Sequence, residues 1–343
     1  YQITTKDSTI YFYGNQKLGH RYAMYDFLYR TLNFEQYSYD CYWIDKAVTE
    51  IPLYKYTIVD GPDFYNYQAF AGFMTNNDGA RIRMYASEEY GSLTGRIYGQ
   101  QGHLALELVK GDPELNLEVR DEWLAYPDKT QVCYMAQGNE ESRKDLVERY
   151  ATSIIDNYKN QLDKTIWSID GEDNASCCNC EVCSNLRKKY GCNTAQMIWF
   201  INDVNAYIQA WFKTEEGKPY YNPEFHLRGH FYEAYTDAPA KFNEETGEWE
   251  PIDETVVFDE GIMANCAPIR AYFQYSYHDE VNTMYYNILR KIAACSNEMS
   301  LWVYSTNFHS YLYPYDVFNT LQESYQIYYN DFKVRTMLDE TQN

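Results

Sequence analysis

The stretch Trp167-Ser-Ile-Asp-Gly-Glu-Asp-Asn-Ala-Ser-Cys-Cys-Asn-Cys-Glu-Val-Cys183 decides how the chain reads. An apolar, β-prone run at 165–169 breaks into three acids, Asp170, Glu172 and Asp173. Four cysteines follow within seven residues: Cys177, Cys178, Cys180 and Cys183. A long amphipathic stretch at 194–213 then has helical spacing. Strand, acidic corner, cysteine knot and helix are the parts of a site built at the C-terminal end of a β-strand.

Working outward, the pattern repeats. Strands are expected at 56–59, 96–98, 131–136, 165–169, 225–232, 256–258 or 262–264, 301–304 and 333–338. Helices are expected at 141–160, 194–213, 279–296 and 316–331. Repeated β–α units imply a parallel sheet, and eight of them imply a (β/α)₈ TIM barrel over residues 51–343. An open doubly wound sheet is the alternative, but no glycine-rich phosphate loop supports it. Residues 1–50 hold one short strand at 9–13 and one helix at 18–32. That piece reads as the remnant of a small N-terminal α+β domain. Residues 236–253 are a polar insertion with a hairpin turn at 243–247.

The chain has 343 residues and a formal net charge of -21, from 29 basic and 50 acidic residues. Such an acidic chain is repelled by nucleic acid, so a nucleic-acid partner is set aside. No apolar run is long enough to cross a bilayer. Tyrosine is abundant, at 38 residues. Its flat apolar face and hydroxyl rim suit wet grooves and sugar rings, though much of it serves as general filler.

In a barrel of this kind the working residues lie where strands end and loops begin. Those positions hold Gln101 and His103, then Asp170, Glu172 and Asp173, then Tyr232 and Glu233, then Arg270, and finally Tyr304 and Asn307. Paired carboxylates are the equipment of glycoside hydrolysis. Asp173 and Glu172 are the expected catalytic corner, with Glu233 as the acid from a second strand. His103, Gln101, Tyr232, Arg270, Asn307 and Tyr304 are expected substrate contacts. Acids after a strand also cap helices or face water, and Glu233 also suits a rim salt bridge. No G-x-S-x-G elbow and no H-E-x-x-H motif occurs.

Cys178, Cys180 and Cys183 have the density of zinc ligands, and Cys192 or a distant His would have to complete the site. Local disulfides and free thiols are the competing readings. Catalysis needs no cofactor on this reading, and a zinc would be structural. The scattered cysteines, Cys41, Cys133, Cys192, Cys266 and Cys295, read as small buried hydrophobes.

The Asp173 corner with Cys-x-Cys-x-x-Cys resembles the glycosidase-like barrels of domain-of-unknown-function family 4838. So do Leu301-Trp-Val-Tyr-Ser-Thr-Asn-Phe-His-Ser-Tyr-Leu-Tyr-Pro314 and the segments 18–34 and 99–109. The resemblance implies kinship with α-glucuronidases and with glycoside hydrolase family 163, endo-β-N-acetylglucosaminidases acting on complex N-glycans. It implies a glycan or glycoprotein substrate, an extracellular or cell-surface location in a bacterium, and trimmed chain ends. The family tends to place Asn-Asp where this chain has Glu172-Asp173, and Asp where it has Val303. Those departures motivate a second reading, a non-catalytic glycan-binding or cell-surface scaffold module. A third reading is an α-glucuronidase-like exo-hydrolase with Arg270 facing the sugar carboxylate.

Overall fold

The computed structural model describes every residue except 15, 38–40, 71–85, 88–90, 93–95, 100–101, 112, 116, 309, 311–312, 314 and 341–343. The chain divides into two compact units. The smaller is Tyr1–Ile97, Ser305–Tyr313 and Thr336–Asn343, and the larger is Tyr98–Tyr304 and Pro314–Arg335. The smaller unit thus takes in the N-terminal piece 1–50 and continues to Ile97.

The smaller unit contains β1 (Gln2–Lys6), β2 (Thr9–Tyr13), α1 (Gln16–Leu32), β3 (Glu35–Gln36), β4 (Tyr42–Trp43), β5 (Thr57–Val59), β6 (Asn66–Phe70), β7 (Ala86–Ser87) and β8 (Gly91–Ser92). Strand β1 is the centre of an antiparallel sheet ordered β2-β1-β5. Its Ile3 is fully buried. Helix α1 packs on this sheet through Phe27, whose ring meets Phe12 edge-on at 5.3 Å.

The larger unit contains α2 (Ala105–Lys110), α3 (Glu140–Lys159), β9 (Ile166–Ile169), α4 (Glu181–Tyr190), α5 (Ala195–Trp211), β10 (His226–Phe231), β11 (Ala240–Asn243), β12 (Glu248–Pro251), β13 (Ile262–Cys266), α6 (Thr283–Ala294), β14 (Met299–Tyr304) and α7 (Leu321–Asn330). Strands β9, β10, β13 and β14 run parallel in that order. The last strand, β15 (Val334–Glu340), starts in the larger unit and ends in the smaller, where it pairs in parallel with β6.

Every position of β9 and of β13 is buried. Both faces are covered, which is why these strands read as continuous apolar runs rather than alternating ones. On one face Trp167 meets Tyr158 of α3 edge-on. On the same face α5 comes so close to β10 that a Cβ on Gly229 would lie 2.7 Å from Ile201 Cδ1 and 2.8 Å from Phe258 Cζ. Glycine is the side chain that allows that approach. Helix α3 starts where Asn139 accepts a hydrogen bond from the Ser142 amide, and it buries Leu146, Tyr150, Ile154 and Tyr158 along one stripe.

The fold is mixed α/β, but the complete (β/α)₈ barrel is not reproduced: the parallel strands among the described residues number six. Three expected strands account for the difference. Residues 57–59 form β5, which is taken by the antiparallel edge of β1. Residues 96–98 supply only a single bridge, Tyr98 to Ile166. Residues 131–136 turn instead of extending. Val132 makes one antiparallel bridge to Leu124, and Ala136 and Gln137 have φ of 43° and 50°. A strand cannot continue through two left-handed residues. Strand β6 is a parallel strand that the periodicity did not announce. The hairpin of the polar insertion forms as β11 and β12.

Candidate functional site

Side chains alternate along a strand, so residues flanking Gly229 point away from the helices α3 and α5. On that second face β10 carries Arg228 and His230. Register puts His230 beside Asn265 of β13, and Asn265 beside Ser300 of β14. Ser300 Oγ lies 3.0 Å from the Tyr98 hydroxyl. Arg228 Nη2 donates to Asp170 Oδ2 at 2.7 Å, and its guanidinium lies over the Tyr98 ring at 5.3 Å. The result is a buried polar layer resting on the apolar cluster of Tyr98, Ile166 and Met263.

His230 contacts the Asn265 amide through Nδ1 and stacks on Tyr232 with ring centroids 5.2 Å apart. Burial holds its pKa down at about 4, so the imidazole is neutral at physiological pH. Asp170 Oδ1 and Arg228 Nε are buried and have no hydrogen-bond partner among the described residues.

The acidic corner lies at the end of β9. Gln131 grips its backbone from both sides: its Nε2 donates to Glu172 O at 2.8 Å, and its Oε1 accepts from Glu172 N at 2.9 Å. Asp173 is exposed, and its charge acts on the nearby Tyr232 phenol, whose ring lies 5.8 Å from that of His103. Burial, reinforced by the charges of Asp173 and Glu233, pushes the Tyr232 hydroxyl up to about 12, so it stays a donor. His103 Nε2 faces Asp173 Oδ1 at 4.0 Å. His103 Nδ1 is 2.9 Å from Gly171 O. A carbonyl only accepts, so Nδ1 carries the proton and Nε2 is turned to Asp173.

Glu172 is placed differently from its neighbour. Its Oε1 accepts from the Leu106 amide at 2.8 Å, capping the first turn of α2. Glu233 follows Tyr232 with φ of 50°, and its carboxylate is 3.4 Å from the exposed guanidinium of Arg270. It also lines a groove of about 540 Å³ with Trp249, Asn193 and Asn287. A larger cavity of about 1040 Å³ lies between α2 and α3 and is lined by none of these acids. Tyr304 is buried against Phe273. Asn307 belongs to the smaller unit. Gln101, with His309 and Tyr311, lies outside the described residues.

Among the described residues, then, the larger unit brings together Asp173, His103 and Tyr232, with Glu233 and Arg270 paired on the next residue. Sequence reasoning missed Arg228, His230 and Asn265. Their signal was present: Arg and His, two residues apart, in the middle of a buried parallel strand have no packing reason to be there.

Behind the corner, the thiols of Cys133, Cys178, Cys180 and Cys183 all lie within 4.8 Å of one another. This group can hold a metal ion. Cys178, Cys180 and Cys183 are the three that the spacing suggested. The fourth is Cys133, not Cys192 and not a histidine, and Cys133 is therefore not the inert hydrophobe it resembles in sequence. Cys177 stays outside the cluster, with Arg187 donating to its sulfur at 3.4 Å. Cys133 and Cys183 hold Cys178 far below the usual thiol range, and the interaction with Cys178, helped by burial, pushes Cys133 up.

The family model described as a domain of unknown function (DUF4838) matches residues 139–343. The match covers more than half of the 343-residue chain, β9 to β15 included, and the chain belongs to that family. No curated protein and no solved structure matches it.

Proposed function

We propose that this member of the DUF4838 family is a glycoside hydrolase whose site is the Asp173 corner of the larger unit. The observation that supports it is the convergence of an exposed carboxylate, Asp173, with the Tyr232 phenol and His103 Nε2 at the C-terminal ends of parallel strands. That end is where (β/α) enzymes place their chemistry. Glu233, on the residue after Tyr232 and paired with Arg270, would be the second acid. One carboxylate would protonate the leaving oxygen, and the other would act as base, nucleophile or orienter of a 2-acetamido group. His103 and Tyr232 would hold sugar hydroxyls, and Arg270 would orient Glu233. Glu172 holds α2 in place rather than reacting. The substrate is a complex glycan with a β-linked N-acetylhexosamine, met outside the cell or at its surface. No helix among the described residues is long and apolar enough to cross a membrane.

The test is glycan release from a complex N-glycoprotein. Wild type should cleave, and Asp173→Asn should lose roughly 100- to 10,000-fold, the usual worth of a positioned acid or base. Binding without any cleavage by folded wild type would remove the hydrolase reading.

A second reading has its own support. Glu233 is tied to Arg270 and Glu172 to the Leu106 amide, which leaves Asp173, facing His103 at 4.0 Å, as the exposed acid of the corner. A glycan-binding module that lost its catalytic pair would look like this. It predicts glycan binding that Asp173→Asn weakens, with no turnover.

A further inference from the structure

We propose that Cys133, Cys178, Cys180 and Cys183 bind one structural zinc ion, and that this site anchors the segment whose Gln131 grips the acidic corner. The assignment begins with distances. Cys133 Sγ and Cys183 Sγ are 3.7 Å apart, far beyond a disulfide bond of about 2.05 Å. A tetrahedron of sulfurs around zinc, with Zn–S bonds of about 2.3 Å, has edges of about 3.8 Å. Cys133 and Cys183 already have that spacing, and all four sulfurs lie within 4.8 Å of one another.

The surroundings fit a thiolate cluster. Amide groups point at three of the sulfurs: Gln137 N at Cys133, Tyr126 N at Cys178 and Cys183 N at Cys180, at 3.2, 3.4 and 3.5 Å. Donors of this kind stabilise negative sulfur. Cys180 is the N-cap of α4, so the positive end of that helix faces the cluster. Arg187 Nη2 donates to Cys178 O at 2.9 Å and adds a positive charge nearby. A zinc with four thiolates is a dianion, and these groups offset it. All four sulfurs come from buried residues, packed with Ala125, Met135 and Val182. A Cβ on Gly138 would lie 2.8 Å from Val182 Cγ2, so glycine there lets the Cys133 turn close onto α4. Four sulfurs with no open position and no histidine describe a structural site, for zinc or iron.

The ligands come from two segments. Cys178, Cys180 and Cys183 follow the corner directly, and Cys133 comes from the turn before α3. Gln131 lies two residues before Cys133 and makes both hydrogen bonds to the Glu172 backbone. A zinc would therefore close a loop that holds the corner from both sides. The catalytic meaning of that clamp rests on the reading of Asp173 given above, but the metal does not.

Metal analysis of the purified wild-type protein should give one zinc per chain, released as thiols are titrated with a mercurial. Cobalt in its place should give the intense visible bands of a tetrahedral thiolate. Cys133→Ser should lose the metal, and Cys177→Ser should keep it. Iron in place of zinc, a metal-free protein with all thiols free, or a mass showing disulfides would each overturn the assignment, whether or not Cys133→Ser folds. For the clamp, zinc removal should speed hydrogen exchange of the amides at 171–174 at least tenfold. Unchanged exchange there would overturn the clamp alone. Absent glycan cleavage would count against the hydrolase reading and leave both results standing.

Discussion

Arg228 Nη2 lies 2.7 Å from Asp170 Oδ2, and both side chains are almost fully buried. The pair joins two neighbouring strands beneath the acidic corner. Taking two charges out of water is costly, and their attraction roughly repays it only while both are present. Arg228→Met should therefore leave Asp170 buried and unpaired and cost about 3–5 kcal/mol. The double change Arg228→Met with Asp170→Leu should recover most of that loss. Urea unfolding of the two single variants and the double variant measures it. Additive losses would mean that the two charges are not coupled.

His230 sets a pH dependence. Its pKa is held at about 4 by burial, against about 6.5 in an unfolded chain. Between those values the unfolded state carries the extra proton, so stability rises with pH through this window. Acidification from pH 6.5 to 4 should remove roughly 3 kcal/mol through this one group, and nothing more below it. His230→Gln should flatten the slope of unfolding midpoint against pH in that interval. An unchanged slope would mean that His230 is not held neutral.

Asp339 near the end of β15 acts with the opposite sign. Burial raises its pKa to about 6, although Ser305 Oγ donates to it at 2.9 Å. The folded state now keeps a proton that the unfolded state has lost between about 4 and 6, so stability falls as pH rises through that range. At pH 7.5 the buried charge should cost roughly 3 kcal/mol at most. Asp339→Asn should therefore unfold at higher urea than wild type at pH 7.5, with the advantage gone at pH 4. A variant less stable than wild type at pH 7.5 would show that the ionised carboxylate is supported there.

What the sequence disclosed follows from where each residue's energy lies. Strands β9, β10, β13, β14 and β15, with helices α3 and α5, were legible because their apolar runs and stripes are buried by local periodicity. Residues 131–136 carry Val132, Tyr134 and Met135 and look like another strand. Instead they turn at Ala136 and Gln137, and Cys133 meets sulfurs 45 residues and more away in sequence, a contact no local pattern records. For the same reason the fourth cysteine of the cluster was not visible: spacing rules look for a second Cys-x-x-Cys arm, and here a single distant cysteine completes the group. The sequence reads Glu172 and Asp173 as one pair, and the structure gives them different surroundings. Adjacent acids in sequence point in different directions, and only the Leu106 amide distinguishes them.

That distinction can be tested first by stability and then by cleavage. Glu172 Oε1 accepts from Leu106 N, so what the position needs is an acceptor and not a charge. Glu172→Gln keeps a carbonyl oxygen there and should shift stability by less than about 0.5 kcal/mol. Glu172→Ala leaves an amide of the first turn of α2 without its cap and should cost about 1–2 kcal/mol. Asp173→Asn, at an exposed side chain, should resemble Glu172→Gln in stability. The two conservative variants should then separate in glycan cleavage: Glu172→Gln within a fewfold of wild type, Asp173→Asn nearly inactive. Loss of cleavage in Glu172→Gln at full stability would return Glu172 to the reaction. In that case the Leu106 contact would be a resting position that the carboxylate leaves when substrate binds.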